Sequence, residues 1–299
     1  YVGEIALKDL ATYHIQKTLD SMDGSYSLFV KVYNVIHGAL EKAVERGMIP
    51  RNPCKGVAFP AEDKEDMRVL TQEEQQRFIE ALDGEYYRVM LLTYLYTGMR
   101  AGECIPLQWK DVDLSKRTIR VNKKAILHHD FSKHSAKQEV QDFCKTKSSK
   151  RTVAITAGLA AILAEHKEEM KKRVAALGLE WSEDSLVFWN TRNKIVQYGN
   201  LKESLNKIYR KAGIGNATMH TLRHTYATRC FEAGVNIKAI SEQLGHANVK
   251  TTYNIYVHLL EDTKVKEIDK LSEIDKFIAS EDATESSVVI PFPESGKAV

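Results

Sequence analysis

The chain is poor in the residues that staple a protein together or anchor it. Its four cysteines, Cys54, Cys104, Cys144 and Cys230, stand far apart with no C-x-x-C pair. That spacing argues against a disulfide framework and against a cysteine-built zinc site, and a reducing cytosol suits it best. No apolar run approaches the roughly 20 residues needed to span a bilayer as a helix. The opening YVGEIALKDL also lacks the basic region and apolar block of a secretory signal. A soluble, cytoplasmic protein without a membrane partner is expected. Internal repeats and low-complexity tracts are missing too, which sets aside solenoids and compositionally biased segments.

What is present is ordinary in bulk and uneven in detail. A hydrophobic content of 43% over 299 residues supports a real core and one large or two ordinary domains. The formal net charge is only +3, but its distribution is skewed. Ser115 to Arg151 holds eleven Lys or Arg against three acids, whereas Glu261 to Val299 holds five Lys against ten acids. One internal segment is therefore strongly basic and the tail is acidic.

Periodicity organises the rest. Residues 8–47 read as helices, with Tyr26, Leu28, Phe29, Val32, Val35, Ile36, Leu40 and Val44 near helical spacing. Met48 to Pro60 carries three of the six prolines and reads, with the polar AEDKEDMRV that follows, as an interdomain connection. At Thr71, with Glu74 three residues on, a capping box opens the helix QEEQQRFIEAL. Ala81 to Thr97 reads as a buried helix stopped by Gly98. Arg117 to Leu127 and Arg151 to Ile155 read as strands separated by a long polar insert. Helices are expected at 157–176, 201–212, 221–233, 237–244 and 249–258, with a charged one at 262–278. The expected fold class is mainly α with a small antiparallel β-sheet (α+β).

Several polar residues sit where core residues would be simpler. MHTLRHTYAT places His220, Arg223 and His224 on an amphipathic segment, and His220 and Arg223, three apart, share a face. Burying such groups is costly unless something pairs with them. Arg100 follows a helix-ending glycine in TGMRAGE, with Glu103 three residues later; His246 follows Gly245; Tyr253 and Tyr256 lie three apart. Taken singly, each has a structural explanation: an ion pair, a core histidine, a backbone contact, a packed aromatic. Together they suit one substrate. Two arginines can spread the charge of a phosphodiester in its pentacoordinate transition state, and histidines can donate to its nonbridging oxygens. A lysine can protonate the leaving alkoxide, and a tyrosine activated by cations can attack phosphorus. His128, His129 and His134 lie in a polar insert without acidic companions at ligand spacing, so no metal site is expected.

The order TGMRAGE, CKTKSSKRTVAI, HTLRHTYAT, LGHANVKTTYNIYVH resembles the tyrosine recombinase family, the site-specific DNA recombinases that include phage and conjugative-transposon integrases. The resemblance covers roughly Thr71 to His258. It implies a two-domain, C-shaped DNA clamp: a helical core-binding domain at 1–60, a linker at 61–70, a catalytic domain at 71–260 and an intersubunit tail at 261–299. It further implies that the chain starts inside the core-binding domain, without that domain's first helix and without an arm-binding domain before it. Carried over, the catalytic residues are Arg100, Lys145, His220, Arg223, His246 and the nucleophile Tyr256, with Lys147 the alternate lysine and Tyr253 the rival tyrosine. Glu103 would hold the Arg100 turn. Lys116, Arg117, Arg120, Lys123, Lys124, Lys147 and Lys150 would contact DNA. The implied activity is metal-independent strand transfer through a 3′-phosphotyrosyl link, without cofactor, integrating or excising a mobile element. The implied partners are double-stranded DNA bearing specific sites, a homotetramer assembled on it, and accessory excision or bending proteins, all in the nucleoid of a bacterial cytoplasm. A type IB topoisomerase and a noncatalytic DNA-binding regulator are the alternatives.

Overall fold

A computed structural model describes residues 2–60, 67–130, 135–142 and 150–253. The chain divides into two compact units, residues 1–66 and 67–299.

In the first unit, helices α1 (Thr12–Asp20) and α2 (Tyr26–Glu45) enclose a small core of Ile15, Leu40, Ala43, Ile49 and Cys54. The proline-bearing stretch after α2, expected as a free connection, is instead part of this core. Ile49, Asn52 and Cys54 are buried. Proline prevents helix continuation but not packing, and the side-chain amide of Asn52 supplies the bonds the backbone lacks. Its Nδ2 donates to the His37 carbonyl at 3.2 Å and to Glu41 at 2.6 Å, while its Oδ1 accepts from the Cys54 N–H at 3.0 Å. Gln16 bonds both the N–H and the carbonyl of Ala58, at 2.9 and 3.2 Å.

The second unit is built on α3 (Gln72–Ala81), α4 (Arg88–Thr97), α5 (Ala101–Cys104), α6 (Ala157–Ala176), α7 (Tyr198–Lys211), α8 (Met219–Glu232) and α9 (Ile237–Leu244). The Thr71–Glu74 capping box forms, with Thr71 Oγ1 accepting from the Glu74 N–H at 3.2 Å and Glu74 accepting from the Thr71 N–H at 3.0 Å. Helix α4 is buried on all sides, from Met90 to Leu95 and at Thr97, and packs on α6 and α8. It starts later than its apolar run suggests, because the Asp83–Gly84 turn signal interrupts the chain before Arg88. It ends at Gly98, whose φ of 62° is left-handed. A Cβ there would stand 2.5 Å from the Tyr226 ring and 2.7 Å from Leu244, so the turn requires glycine for space as well as for conformation.

Strands β1 (Val112–Asp113), β2 (Thr118–Val121) and β5 (Arg151–Ala154) form an antiparallel sheet in the order β1-β2-β5. The single strand expected over 117–127 is broken at Asn122. Both Arg120 Nε and Asn122 Nδ2 turn to the buried Asp111 carboxylate, at 3.1 and 2.8 Å, and the chain leaves the sheet. It continues as β3 (Lys123–Asp130), paired with β4 (Ser135–Asp142) in a separate ribbon. Much of the stretch expected as a polar loop is thus a hairpin, held by its backbone ladder rather than by an apolar face. Gln138 fastens it, donating to the Val196 carbonyl at 2.8 Å and accepting from the Tyr198 N–H at 2.9 Å. The fold is mainly helical with small antiparallel sheets. Among the described residues, no helix is long and apolar enough to cross a membrane.

Candidate functional site

Four chain segments converge at one end of α8: the turn after α4, the start of β5, α8 itself and the loop after α9. Strand period places Arg151 on the same side of β5 as the buried Val153, so its side chain runs inward. Helix α8 is packed at Thr221, Leu222, Arg223, Thr225, Ala227, Thr228 and Phe231, which leaves His220 exposed and His224 half-buried.

Arg223 is 6% exposed. Its Nη1 donates to the Gly98 carbonyl at 2.6 Å, and its Nη2 donates to the Leu244 carbonyl at 2.7 Å and to His246 Nε2 at 3.0 Å. Because an arginine only donates, His246 Nε2 must accept here, and the imidazole proton lies on Nδ1. That Nδ1 donates to Thr252 Oγ1 at 2.7 Å, and Thr252 is fully buried in a helical stretch over 249–253. Burial, then the charges of Arg223, Arg100, His224 and Arg151, push the His246 imidazole down to about 4. His224 is also pushed down to about 4, by burial and by its neighbours His220 and Arg223. His220 is exposed, yet partial loss of water and then Arg223 and Arg100 lower it as well.

Arg100 caps α5, and its side chain is 44% exposed. Its backbone N–H and its Nη1 both reach Glu103, at 2.8 and 3.0 Å, and its Nη2 donates to the Gly245 carbonyl at 3.3 Å. The Glu103 side chain is 3% exposed. Burial alone would raise its carboxyl; hydrogen bonds and charge from Arg151, with those from Arg100, outweigh this and hold it below its ordinary value.

Arg100, Arg223 and His246 therefore meet, with His220 beside them. Lys145, Lys147 and Tyr256 lie outside the described residues. Tyr253 is described and 48% exposed. Of the residues expected on DNA, Lys116 pairs with Asp113 at 3.4 Å and Arg117 occupies a left-handed turn position at φ 53°. Arg120 is engaged by Asp111, and Lys123 donates to Gln108. Lys124 is half-buried and Lys150 exposed. No group of three His, Cys, Asp or Glu suited to a metal ion occurs among the described residues. Arg151 and Thr252 were not anticipated from sequence. The alternation Arg151–Val153 was the available signal for the first; nothing local marks the second.

The phage integrase family model matches residues 68–262. A tyrosine recombinase XerC-like protein of Caldanaerobacter subterraneus subsp. tengcongensis is 32% identical over 243 residues, covering 78% of this chain and 62% of that one. The ICEBs1 integrase of Bacillus subtilis is 27% identical over 237 residues, with the same coverage of 78% and 62%. The chain spans about three fifths of the length of these curated relatives, as the 62% shares state. Two solved structures share the fold. The Tn1549 transposon integrase in complex with a circular-intermediate DNA has a TM-score of 0.72 at 20% identity, over 88% of this chain and 86% of that one. A lambda integrase dimer bound to a core site has a TM-score of 0.59 at 18% identity, over 84% and 81%.

Proposed function

The chain belongs to the phage integrase family, and we propose that it is a site-specific DNA recombinase that cuts and rejoins strands through a 3′-phosphotyrosyl intermediate. The observation that carries this reading is the meeting of Arg100, Arg223 and His246, drawn from three distant segments and joined through the Gly98, Leu244 and Gly245 carbonyls. Two guanidinium groups and an imidazole in one half-buried recess suit a single anionic centre of tetrahedral shape.

In the proposed reaction Tyr256 Oη attacks the scissile phosphorus and releases its proton to water as the O–P bond forms. The P–O5′ bond breaks, and Lys145 gives a proton to the departing 5′ oxygen. Arg100 and Arg223 carry the charge that grows on the nonbridging oxygens, where preorganised donors act most strongly. A partner strand's 5′ hydroxyl then reverses the step, so the ester energy is kept. The lowered His220 enters as a neutral group that donates without competing for the proton, while His246, whose Nε2 accepts from Arg223 and whose Nδ1 donates to Thr252, keeps the Arg223 guanidinium in place. On this reading residues 1–60 form a core-binding domain that closes a C-shaped clamp with residues 71–260 around the duplex. Four copies assemble on two sites, accessory bending or excision proteins bias the direction, and residues 261–299 make the contact between copies.

A nicked suicide duplex tests it, carrying a site selected by this protein from a random-sequence pool. The wild type should give a denaturant-resistant protein–DNA adduct that disappears in Tyr256→Phe. An adduct that persists in Tyr256→Phe and is lost in Tyr253→Phe moves the nucleophile three residues back. Absence of any adduct with the wild type refutes the catalytic reading and leaves a DNA-binding regulator.

A further inference from the structure

Arg151 opens β5, where a strand that covers a core would ordinarily carry an apolar residue. Its side chain is 9% exposed, and its fork meets the buried Glu103 face on: Nη1 to Oε1 at 3.0 Å and Nη2 to Oε2 at 2.8 Å. The third edge of the guanidinium is used too, with Nε donating to the Gln243 carbonyl at 2.9 Å. The plane of the group lies against Gly245. A Cβ on that residue would stand 2.8 Å from Cζ and Nη1 and 2.9 Å from Nε. Gly245, at φ 68°, therefore provides both the turn after α9 and the space for the guanidinium.

The same carboxylate that Arg151 grips is the one that Arg100 uses. Glu103 accepts the Arg100 N–H on Oε2 and Arg100 Nη1 on Oε1, so both oxygens are shared between the two arginines. Of the two ties from Arg100, the backbone N–H on Oε2 is fixed by the turn, but the Nη1 contact on Oε1 comes from a side chain 44% exposed and cannot set the carboxylate plane by itself. A bidentate partner fixes its plane, and with it the direction from which Arg100 must approach. We infer that Arg151 is a positioning residue: through Glu103 it aims the Arg100 guanidinium, and through Gln243 and Gly245 it holds the loop that carries His246. This rests on the strand-transfer reading given above. Arg151 itself does not touch the substrate; its burial keeps it behind Arg100, whose side chain is 44% exposed.

The test uses the full chain on the nicked duplex, with single-turnover adduct formation and DNA affinity measured separately. Arg151→Gln should slow adduct formation by about 100-fold while Kd stays within about three-fold, since a misplaced catalytic group typically costs on that order. Arg151→Lys keeps the charge without the fork and should recover part of the rate. A second substrate replaces one nonbridging oxygen of the scissile phosphate by methyl, which removes one negative charge from ground state and transition state alike and so lessens what the two arginines must neutralise. On this methylphosphonate the Arg151→Gln defect should shrink to within a few-fold, as should that of Arg100→Ala. Gly245→Ala, which displaces Arg151 without removing any charge, should show the same substrate dependence, and it decides the matter should Arg151→Gln fail to fold. Equal losses on both substrates, or an unchanged rate, overturn the inference while leaving the strand-transfer reading intact. A wild type that forms no adduct overturns both.

Discussion

The protein holds two collections of positive charge that differ in how they are kept. At the convergent site Arg223 and Arg151 are 6% and 9% exposed, and each is spread over several acceptors before any ligand arrives. Along the Lys116–Lys124 segment, Lys116 and Arg120 are 79% and 61% exposed and each meets a single carboxylate. A pair exposed on both sides, as Lys116–Asp113 is, contributes little and is screened by salt, whereas a pair with a buried member, such as Glu103 or the Asp111 that Arg120 meets, is expensive to break. The first arrangement suits a task in which charge must already be in place when a transition state forms. The second suits adhesion, where flexible cations replace counterions along a phosphate backbone.

The largest expected effect lies at the carboxylate that both exposed and buried arginines share. Glu103→Ala leaves Arg151 buried without its counter-charge, and loss of one partner from a buried pair costs about 3–5 kcal/mol. Urea denaturation measures it; a loss below about 1 kcal/mol would erase the proposed contrast with the surface pairs. Next comes Arg223→Lys. A lysine cannot bridge Gly98, Leu244 and His246 as the planar fork does, and adduct formation should fall by about 100- to 1,000-fold with Kd within a few-fold. Parallel loss of rate and affinity would assign Arg223 to binding instead.

How much of this arrangement could be read from sequence depends on the range of the forces involved. Helix α9 matches its expected span, because Asn236 caps it locally, accepting from the Lys238 N–H, and Gly245 ends it locally. The Thr71–Glu74 box and the Gly98 stop are likewise short-range and legible. Strand was expected as far as Leu127, but the rest of β3 and all of β4 were missed because those residues show no strict alternation; Leu127 and Val140, on one face of the ribbon, are 39% and 41% exposed, so that face needs no apolar pattern. The packing of residues 48–60 was missed because proline signals a break in helix, not an absence of burial. Arg151 escaped notice because its partner lies 48 positions earlier and Gln243 lies 92 later. Side-chain pairing at such separations leaves no periodic trace.

Acid should weaken the convergent site before the basic segment is affected. His224 and His246 sit at about 4 in the fold, against an ordinary value near 6.5. The unfolded chain therefore binds more protons between those limits, and the stability these groups allow is full above pH 6.5 and is lost as pH falls toward 4. Glu103, held below its ordinary 4.5, continues the loss at lower pH, as it becomes protonated in the fold. Thermal unfolding followed from pH 7.5 to 4 should show a falling Tm. His224→Gln and His246→Gln should each flatten the slope between pH 6.5 and 4, and a profile that both leave unchanged would separate these histidines from the stability of the site.

The smallest effects belong to the exposed cations, and there the sign of the contrast is most easily tested. Lys116→Ala removes an exposed side chain that pairs with Asp113 at 3.4 Å, so stability should move by less than about 0.5 kcal/mol. If Lys116 meets a phosphate, the slope of log affinity against log salt should become shallower by about 0.9, the value for one counterion released from duplex DNA. Arg120→Ala should behave differently within the same segment, because its Nε faces the buried Asp111, and removing it uncovers a carboxylate rather than a phosphate contact. Measured by fluorescence anisotropy across a salt series, equal slopes for both variants would place Arg120 with the adhesive cations. A shallower slope for Lys116→Ala alone would place Arg120 with the buried arginines, as a structural cation that happens to lie on a basic surface.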